Sequence, residues 1–336
     1  MRRLVALCTV AAVIGGGAAV AVASHRTPAR PALPSARRSE LQVIAFTDAR
    51  PTPAARGSLS AHLASLTAVS PSWLALGANG TIRYHDADAF SRDLATRGAA
   101  LLPVLRDPEK RIASVLADTV SRKRAAGRLT VMVRALGAQG LVLDLGDVPA
   151  ADRAALPAFL RDLRAGMPAS SRLMLVIPPI RDAASARAHA GYDLRDLSRP
   201  AVLVLRAWSE AAGVHTPHPI AALGWYKQTL RYTLAHAPRS RVIVALPTWG
   251  TLWGPHGVRR RTQAELFRLA RPAALAQPAG ARVEQGSTVA WVESDRSLQL
   301  KLEVARAAQV SGIAVWVRGG ESAGIWREPL LAPPTR

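Results

Sequence analysis

Ala138-Gln139-Gly140-Leu141-Val142-Leu143-Asp144-Leu145-Gly146-Asp147-Val148-Pro149 is a short apolar run that ends on acidic residues. Its apolar side chains occupy consecutive positions, so a strand over residues 140–145 has both faces covered, as a parallel strand between helices does. The next segment supplies a cover. Residues 152–165 place Leu156, Phe159, Leu160 and Leu163 on one helical stripe, with Pro149 near the helix start. Strand then amphipathic helix is one unit of an α/β fold.

Working outward, the same unit recurs. Apolar runs bounded by turn residues predict strands over 42–47, 73–77, 100–105, 173–177, 201–205, 242–246 and 312–317. Helical patterns fall between them, over 58–68, 111–126, 225–235 and 297–309. Eight strands alternating with helices imply an α/β chain folded as a (β/α)8 TIM barrel, with its chemistry at the carboxyl ends of the strands. A doubly wound open sheet is the alternative, but no Gly-rich phosphate-binding fingerprint follows the first strand. We expect a single barrel domain over residues 41–330.

The N-terminus predicts export. Met1-Arg2-Arg3 precedes an apolar stretch from Leu4 to Ala23, and Ala21-Val22-Ala23 before Ser24 has the small-x-small pattern of a signal peptidase site. Residues 1–23 are therefore read as a signal peptide, or as a membrane anchor and tether if they stay uncleaved, and residues 24–40 as a Pro/Arg-rich linker. The expected location is periplasmic or secreted, in the cell envelope. Cys8, the single cysteine, falls inside the apolar stretch, so a disulfide framework is excluded.

The 336 residues carry 44 Lys+Arg against 23 Asp+Glu, a formal net charge of +21, and all but four of the basic residues are arginine. This excess reads mainly as a compositional habit. Arg122-Lys123-Arg124 and Arg259-Arg260-Arg261 read as solvated faces or loop tips, since they lack the interleaved aromatics of a nucleic-acid footprint. The eight histidines have no metal-ligand spacing, and His215 and His218 lack a nameable third ligand, so no metal or cofactor is expected. No Gly-x-Ser-x-Gly elbow supports a serine hydrolase.

The fourth strand resembles the glycoside hydrolase family 18 signature D-G-x-x-x-D-x-E, in the form found in spore-cortex and peptidoglycan-active members. A longer stretch carries the resemblance further. Val289-Ala290-Trp291-Val292-Glu293-Ser294-Asp295-Arg296-Ser297-Leu298 leads to Gly312-Ile313-Ala314-Val315-Trp316-Val317, Gly319-Gly320-Glu321 and Gly324-Ile325-Trp326, and is similar to the closing third of that family. Leu246-Pro247-Thr248-Trp249-Gly250 to Trp253 is similar to its seventh-strand element.

The resemblance implies a set of roles. In the family the strand-four Glu is the general acid, and the Asp two residues before it orients the substrate's N-acetyl group, whose carbonyl oxygen is the nucleophile. Asp144 matches the orienting Asp; the acid position is Gly146, and Gln139 stands at the first Asp of the signature. Asp147 and Glu210 are the candidate replacement acids, although strand alternation turns position 147 away from the face shared by 144 and 146. The sixth strand, where the family has a Tyr, reads Arg206-Ala207-Trp208-Ser209. Trp316 matches the indole under the sugar, and Trp208, Trp249 and Trp253 fall at neighbouring strand ends, so these four tryptophans and Gln139 are the candidate substrate contacts. The competing reading of Asp144 is a structural carboxylate paired with an arginine.

Three functions follow. The first is an exported barrel that recognises N-acetylglucosamine-containing envelope glycan of the chitin or peptidoglycan type, with hydrolysis weak or lost: a pseudoenzyme. The second is an active glycosidase using Asp147 or Glu210. The third is a non-catalytic basic scaffold for anionic envelope polymers. Nucleic acid is not an expected partner.

Overall fold

A computed structural model describes residues 41–85, 89–208 and 216–327. The signal segment, the linker, Glu210 and His215 lie outside the described residues. The first strand is β1 (Gln42–Thr47). The second is split into β2 (Ala68–Pro71) and β3 (Leu74–Leu76), and β4 (Ile82–Tyr84) folds back antiparallel on β3. The third is split into β5 (Ala100–Leu101) and β6 (Val104–Arg106). Then come β7 (Gly140–Asp144), β8 (Arg172–Ile177), β9 (Val202–Arg206) and β10 (Val242–Leu246).

A four-stranded antiparallel sheet follows, made of β11 (Trp249–Gly254), β12 (Gly257–Thr262), β13 (Ala281–Gln285) and β14 (Thr288–Val292) in the order β12-β11-β14-β13. Strand β15 (Gly312–Trp316) returns to the barrel, pairing parallel with both β1 and β10. Parallel pairing continues from β1 to β2 to β5 on one side, and through β3, β6, β7, β8, β9 and β10 on the other. Because β2 runs into β3 and β5 into β6 across two residues each, these pairings close a (β/α)8 barrel.

All eight predicted strands are present, with two corrections. The second begins at Ala68, earlier than expected, and the second and third are both interrupted. Pro71 and Pro103 sit at the interruptions, and proline has no N–H to give to a ladder. The helices shift for similar local reasons. The first starts at Pro53 and spans Pro53–Ala61, because the Thr52 hydroxyl accepts from the Ala55 N–H and proline is preformed for the first turn. The helix expected over 111–126 is two, Ile112–Ala117 and Thr119–Ala135, parted at Asp118, whose carboxylate caps the second through Val120 and Ser121 N–H. The antiparallel sheet is not among the expected elements. Its strand β12 is Gly-Val-Arg-Arg-Arg-Thr, which has no apolar alternation to announce it.

Two apolar layers show which way each side chain points. Val43, Ala45, Leu141, Leu143, Leu173, Leu175, Leu203, Leu205, Val244, Leu246, Ile313 and Val315 pack under the helices. The alternate residues Ile44, Phe46, Val104, Val142, Met174, Val204, Ile243, Ala245 and Ala314 fill the barrel. The next inward positions at the carboxyl ends are therefore Arg106, Asp144, Val176, Arg206 and Trp316.

The inserted sheet is tied to the barrel by a buried polar network. Glu293, just past β14, receives hydrogen bonds from the Ser297 hydroxyl at 2.7 Å and from Lys301 Nζ, and both charged side chains are fully buried. Gln263 Nε2 donates to the Glu293 carbonyl at 2.6 Å, and Gln263 Oε1 accepts from Ser322 N–H beyond β15. Tyr226 OH donates to the Lys301 carbonyl from a neighbouring helix. Removing one partner leaves an uncompensated buried charge. Lys301→Met is expected to lower unfolding free energy by about 3–5 kcal/mol in urea denaturation, and the double variant Glu293→Leu/Lys301→Met by distinctly less.

Candidate active site

The mouth of the barrel holds a small open cavity, lined by Phe46, Val176, Val204 and Ala245 below and by Arg106, Asp144, Arg206, Trp208, Trp249, Arg260, Trp316 and Arg318 around it. The barrel strands supply Arg106, Asp144, Arg206 and Trp316 directly. Arg260 comes from β12 of the inserted sheet, where it faces Thr251 of β11.

Asp144 is mostly buried and sits 3.3 Å from a nitrogen of Arg106, its register partner on β6. The paired-carboxylate reading of Asp144 is thus realised, at the same place where the resemblance puts an orienting Asp. The Arg106 guanidinium also lies 5.2 Å from the centroid of the Trp316 indole, and that of Arg318 lies 5.7 Å from it. Phe46 stacks on the same indole at 5.6 Å. Trp316 is therefore in the mouth, but as a ring rimmed by guanidiniums rather than a bare platform. Trp208 and Trp249 meet edge to face at 4.9 Å, with Arg260 5.0 Å from the Trp249 ring. The indole N–H groups of Trp208 and Trp316 are buried and have no acceptor among the described residues.

Position 146 lies on the cavity side, next to Asp144 and Ser72, His85 and Asp107. Gly146 has φ +67, and a Cβ built on it would meet nothing within 4 Å. The space beside this position is open, and no side chain at 146 fills it. The Gly146 carbonyl accepts a hydrogen bond from Tyr192 OH, whose phenol is pushed up by burial and by the nearby Asp144 carboxylate, with Arg206 opposing. Tyr192 is accordingly a protonated donor that fixes the turn after β7.

The remaining expected residues divide. Asp147 points outward with its side chain 84% exposed, and the His189 ring lies 3.8 Å from its carboxylate, outside the cavity lining. Burial lowers the His189 pKa, with Asp147 raising it and Arg206 lowering it further. Gln139 precedes β7 at the amino end of the barrel, where its Oε1 accepts from Leu101 N–H at 2.7 Å and its Nε2 donates to the Gly137 carbonyl. It tethers two strands at the end opposite the mouth, and the expectation that it contacts substrate is corrected. Trp253 is buried edge to face with His218 at 5.5 Å and does not line the cavity. Of the four tryptophans, three share the cavity.

The sequence reading missed the arginines. Arg106 and Arg206 were discoverable, as the last inward positions after Val104 and Val204. Arg260 was assigned to a solvated run, because β12 carries no pattern that shows which of its three arginines faces in. Among the described residues no cluster of His, Cys, Asp and Glu could hold a metal ion, and no helix is long and apolar enough to cross a membrane.

Comparison with known proteins places this geometry in a lineage. No family model matches the chain. It is 24% identical over 220 residues to the Bacillus subtilis protein YdhD, named as a sporulation-specific glycosylase; the match takes in 60% of this chain and about half, 52%, of that protein. Among solved structures, the spore cortex-lytic enzyme SleL of Bacillus megaterium superposes with a TM-score of 0.75 at 15% identity, covering 85% of this chain and 72% of that one. A chitinase of Chromobacterium violaceum superposes with a TM-score of 0.77 at 21% identity, over 88% of this chain and all of that one. The comparisons show the fold: the chain is a (β/α)8 barrel similar to those of SleL and of chitinases.

Proposed function

We propose that this chain is an exported, envelope-located protein that recognises N-acetylglucosamine-containing glycan at the barrel mouth, with hydrolysis weak or lost. The carrying observation is that the position two residues after Asp144, open on the cavity side, is a glycine. A glycosidic oxygen there meets no carboxyl at position 146 to protonate it on departure, and general acid catalysis commonly supplies about 10²–10⁴-fold. What supports glycan recognition is the family 18-like fold together with Asp144, Trp208, Trp249 and Trp316 around one cavity.

The active-glycosidase reading needs a replacement acid. The outward position of Asp147 and its exposure speak against it, and Glu210 lies outside the described residues. An export signal fits relatives named for spore-cortex lysis and chitin.

Two measurements test this reading. Chitohexaose and peptide-free peptidoglycan strands, incubated with the full chain and analysed by mass spectrometry, are expected to yield no products above background, while at least one binds; product formation abolished by Asp147→Asn would overturn it. Binding should weaken about tenfold or more in Trp208→Ala and Trp316→Ala, since each removes an aromatic wall of the cavity. Gly146→Glu should then introduce turnover of about 10²-fold over background. The left-handed backbone at that position costs a non-glycine residue roughly 1–2 kcal/mol, so the variant should melt lower than the parent.

A further inference from the structure

The end of the barrel opposite the mouth carries a second surface, separate from any glycan site. We infer that this amino-end face docks on an anionic lipid bilayer and holds the barrel with its mouth directed away from the membrane.

Charge separates the two ends of the barrel. Seven described connections at the amino end carry the chain from a helix to the next barrel strand. Counted from the last two residues of each helix, they hold Arg97, Arg134, Arg199, Arg239, Arg241 and Arg306, all exposed. Their one carboxylate is Asp196, 3.5 Å from Arg199. Asp93, Asp162 and Glu303 lie about one turn further up their helices, where arginines such as Arg161, Arg164 and Arg231 outnumber them. Asp93 meets Arg97 at 3.6 Å, and Asp162 meets Arg122 at 3.5 Å. Bonds to neutral acceptors, from Arg134 to the Gly166 carbonyl and from Arg239 to the Gln309 amide oxygen, hold guanidiniums in place without cancelling their charge.

The carboxyl end differs. Asp48, Asp107, Glu109, Asp147 and Asp182 stand in the segments after β1, β6, β7 and β8, among the arginines found there. An arginine-rich composition supplies cations to both ends and does not remove carboxylates from one. The helix macrodipole favours cations in a last helical turn, which accounts for Arg134 and Arg306. Arg239 and Arg241 lie past that range, in the turn before β10.

The chain also enters at this end. Leu41 leads into β1, and the Gln42 N–H donates to the Ser311 carbonyl in the connection before β15. In the sequence, residues 24–40 join this point to the apolar stretch Leu4–Ala23, and they include Arg26, Arg30, Arg37 and Arg38 against one acid, Glu40. A stretch of that length suits a bilayer, and the end it is joined to is brought beside the lipid during export. The shape of the face agrees. Its arginines come from separate connections spread round the end of a closed barrel, whereas the cavities described above open at the mouth. A compact anion needs its cations in one cleft; a charged bilayer attracts them across a plane.

Sedimentation of the full chain with lipid vesicles tests the inference. Vesicles of phosphatidylcholine alone are compared with vesicles containing about a third phosphatidylglycerol, at low and at physiological salt. The apolar stretch binds both, so the quantity read is the preference for anionic vesicles, expected to be about tenfold and to fall as salt rises. Arg199→Gln/Arg239→Gln/Arg241→Gln should remove most of that preference and leave binding to neutral vesicles unchanged. Lysine at the same three positions should keep it, which separates charge from loss of fold. Arg259→Gln/Arg268→Gln/Arg271→Gln, a charge-matched change at the other end, should keep it as well.

Equal loss in the two glutamine triples would show a response to net charge alone, and no loss in the first would assign the preference to residues outside this face. Either result overturns the inference. Soluble poly(glycerol phosphate) that binds as tightly as anionic vesicles, and weakens in the first triple, would make a polymer the occupant and overturn it too. None of these outcomes bears on glycan binding at the mouth.

Discussion

The parity of a parallel strand governs this molecule. Once β7 is paired on both sides, Leu141 and Leu143 must enter the layer under the helices, and Val142 and Asp144 must face the axis. The same holds for every barrel strand, and closure of the ladder by β15 against β1 leaves no freedom to slip by one residue without turning the whole apolar set inside out. Arg106, Asp144, Arg206 and Trp316 converge for that reason alone: each is the last inward residue before its strand gives way to a loop. Polar groups are tolerated there and not one layer deeper, where Val104, Val142, Val204 and Ala314 keep the interior dry.

The turn after β7 is open where the family resemblance expects an acid side chain. A residue at 146 follows Asp144 on the cavity side, and glycine at that position leaves the space for an acid side chain unfilled without disturbing the scaffold. The backbone there is held by Tyr192, a buried phenol bonded to the Gly146 carbonyl, so the turn after β7 keeps its shape with no acid to support. Asp147, past the end of β7 and the left-handed Gly146, is turned to solvent.

Electrostatics then give the mouth a character that its relatives' names do not convey. Among the described residues lining the cavity, Asp144, paired with Arg106, stands with four guanidiniums, two of which rest near one indole. The overall charge of +21 reads as a compositional habit; β6, β9, β12 and the segment after β15 each send one arginine to the same cavity.

The sequence by itself determined the barrel. Eight doubly apolar runs alternating with helical stripes admit few other closures, and strand positions are legible because burial on both faces removes polar residues from them. It also determined that Asp144 and Trp316 lie at strand ends and that the acid is absent at Gly146. Only the tertiary structure decided the rest. Gln139, legible as a motif position, proves to be a tether at the amino end because its amide reaches Leu101 on another strand. Trp253 shares its face of β11 with Trp249 but lies four residues further along the strand, against His218 and outside the cavity. Arg260 reaches the cavity because β12 pairs with β11, a contact no local pattern encodes, since a strand with no apolar face leaves its orientation to its partners. Local periodicity fixes which residues can be buried; the long-range pairings fix which of the remaining ones meet.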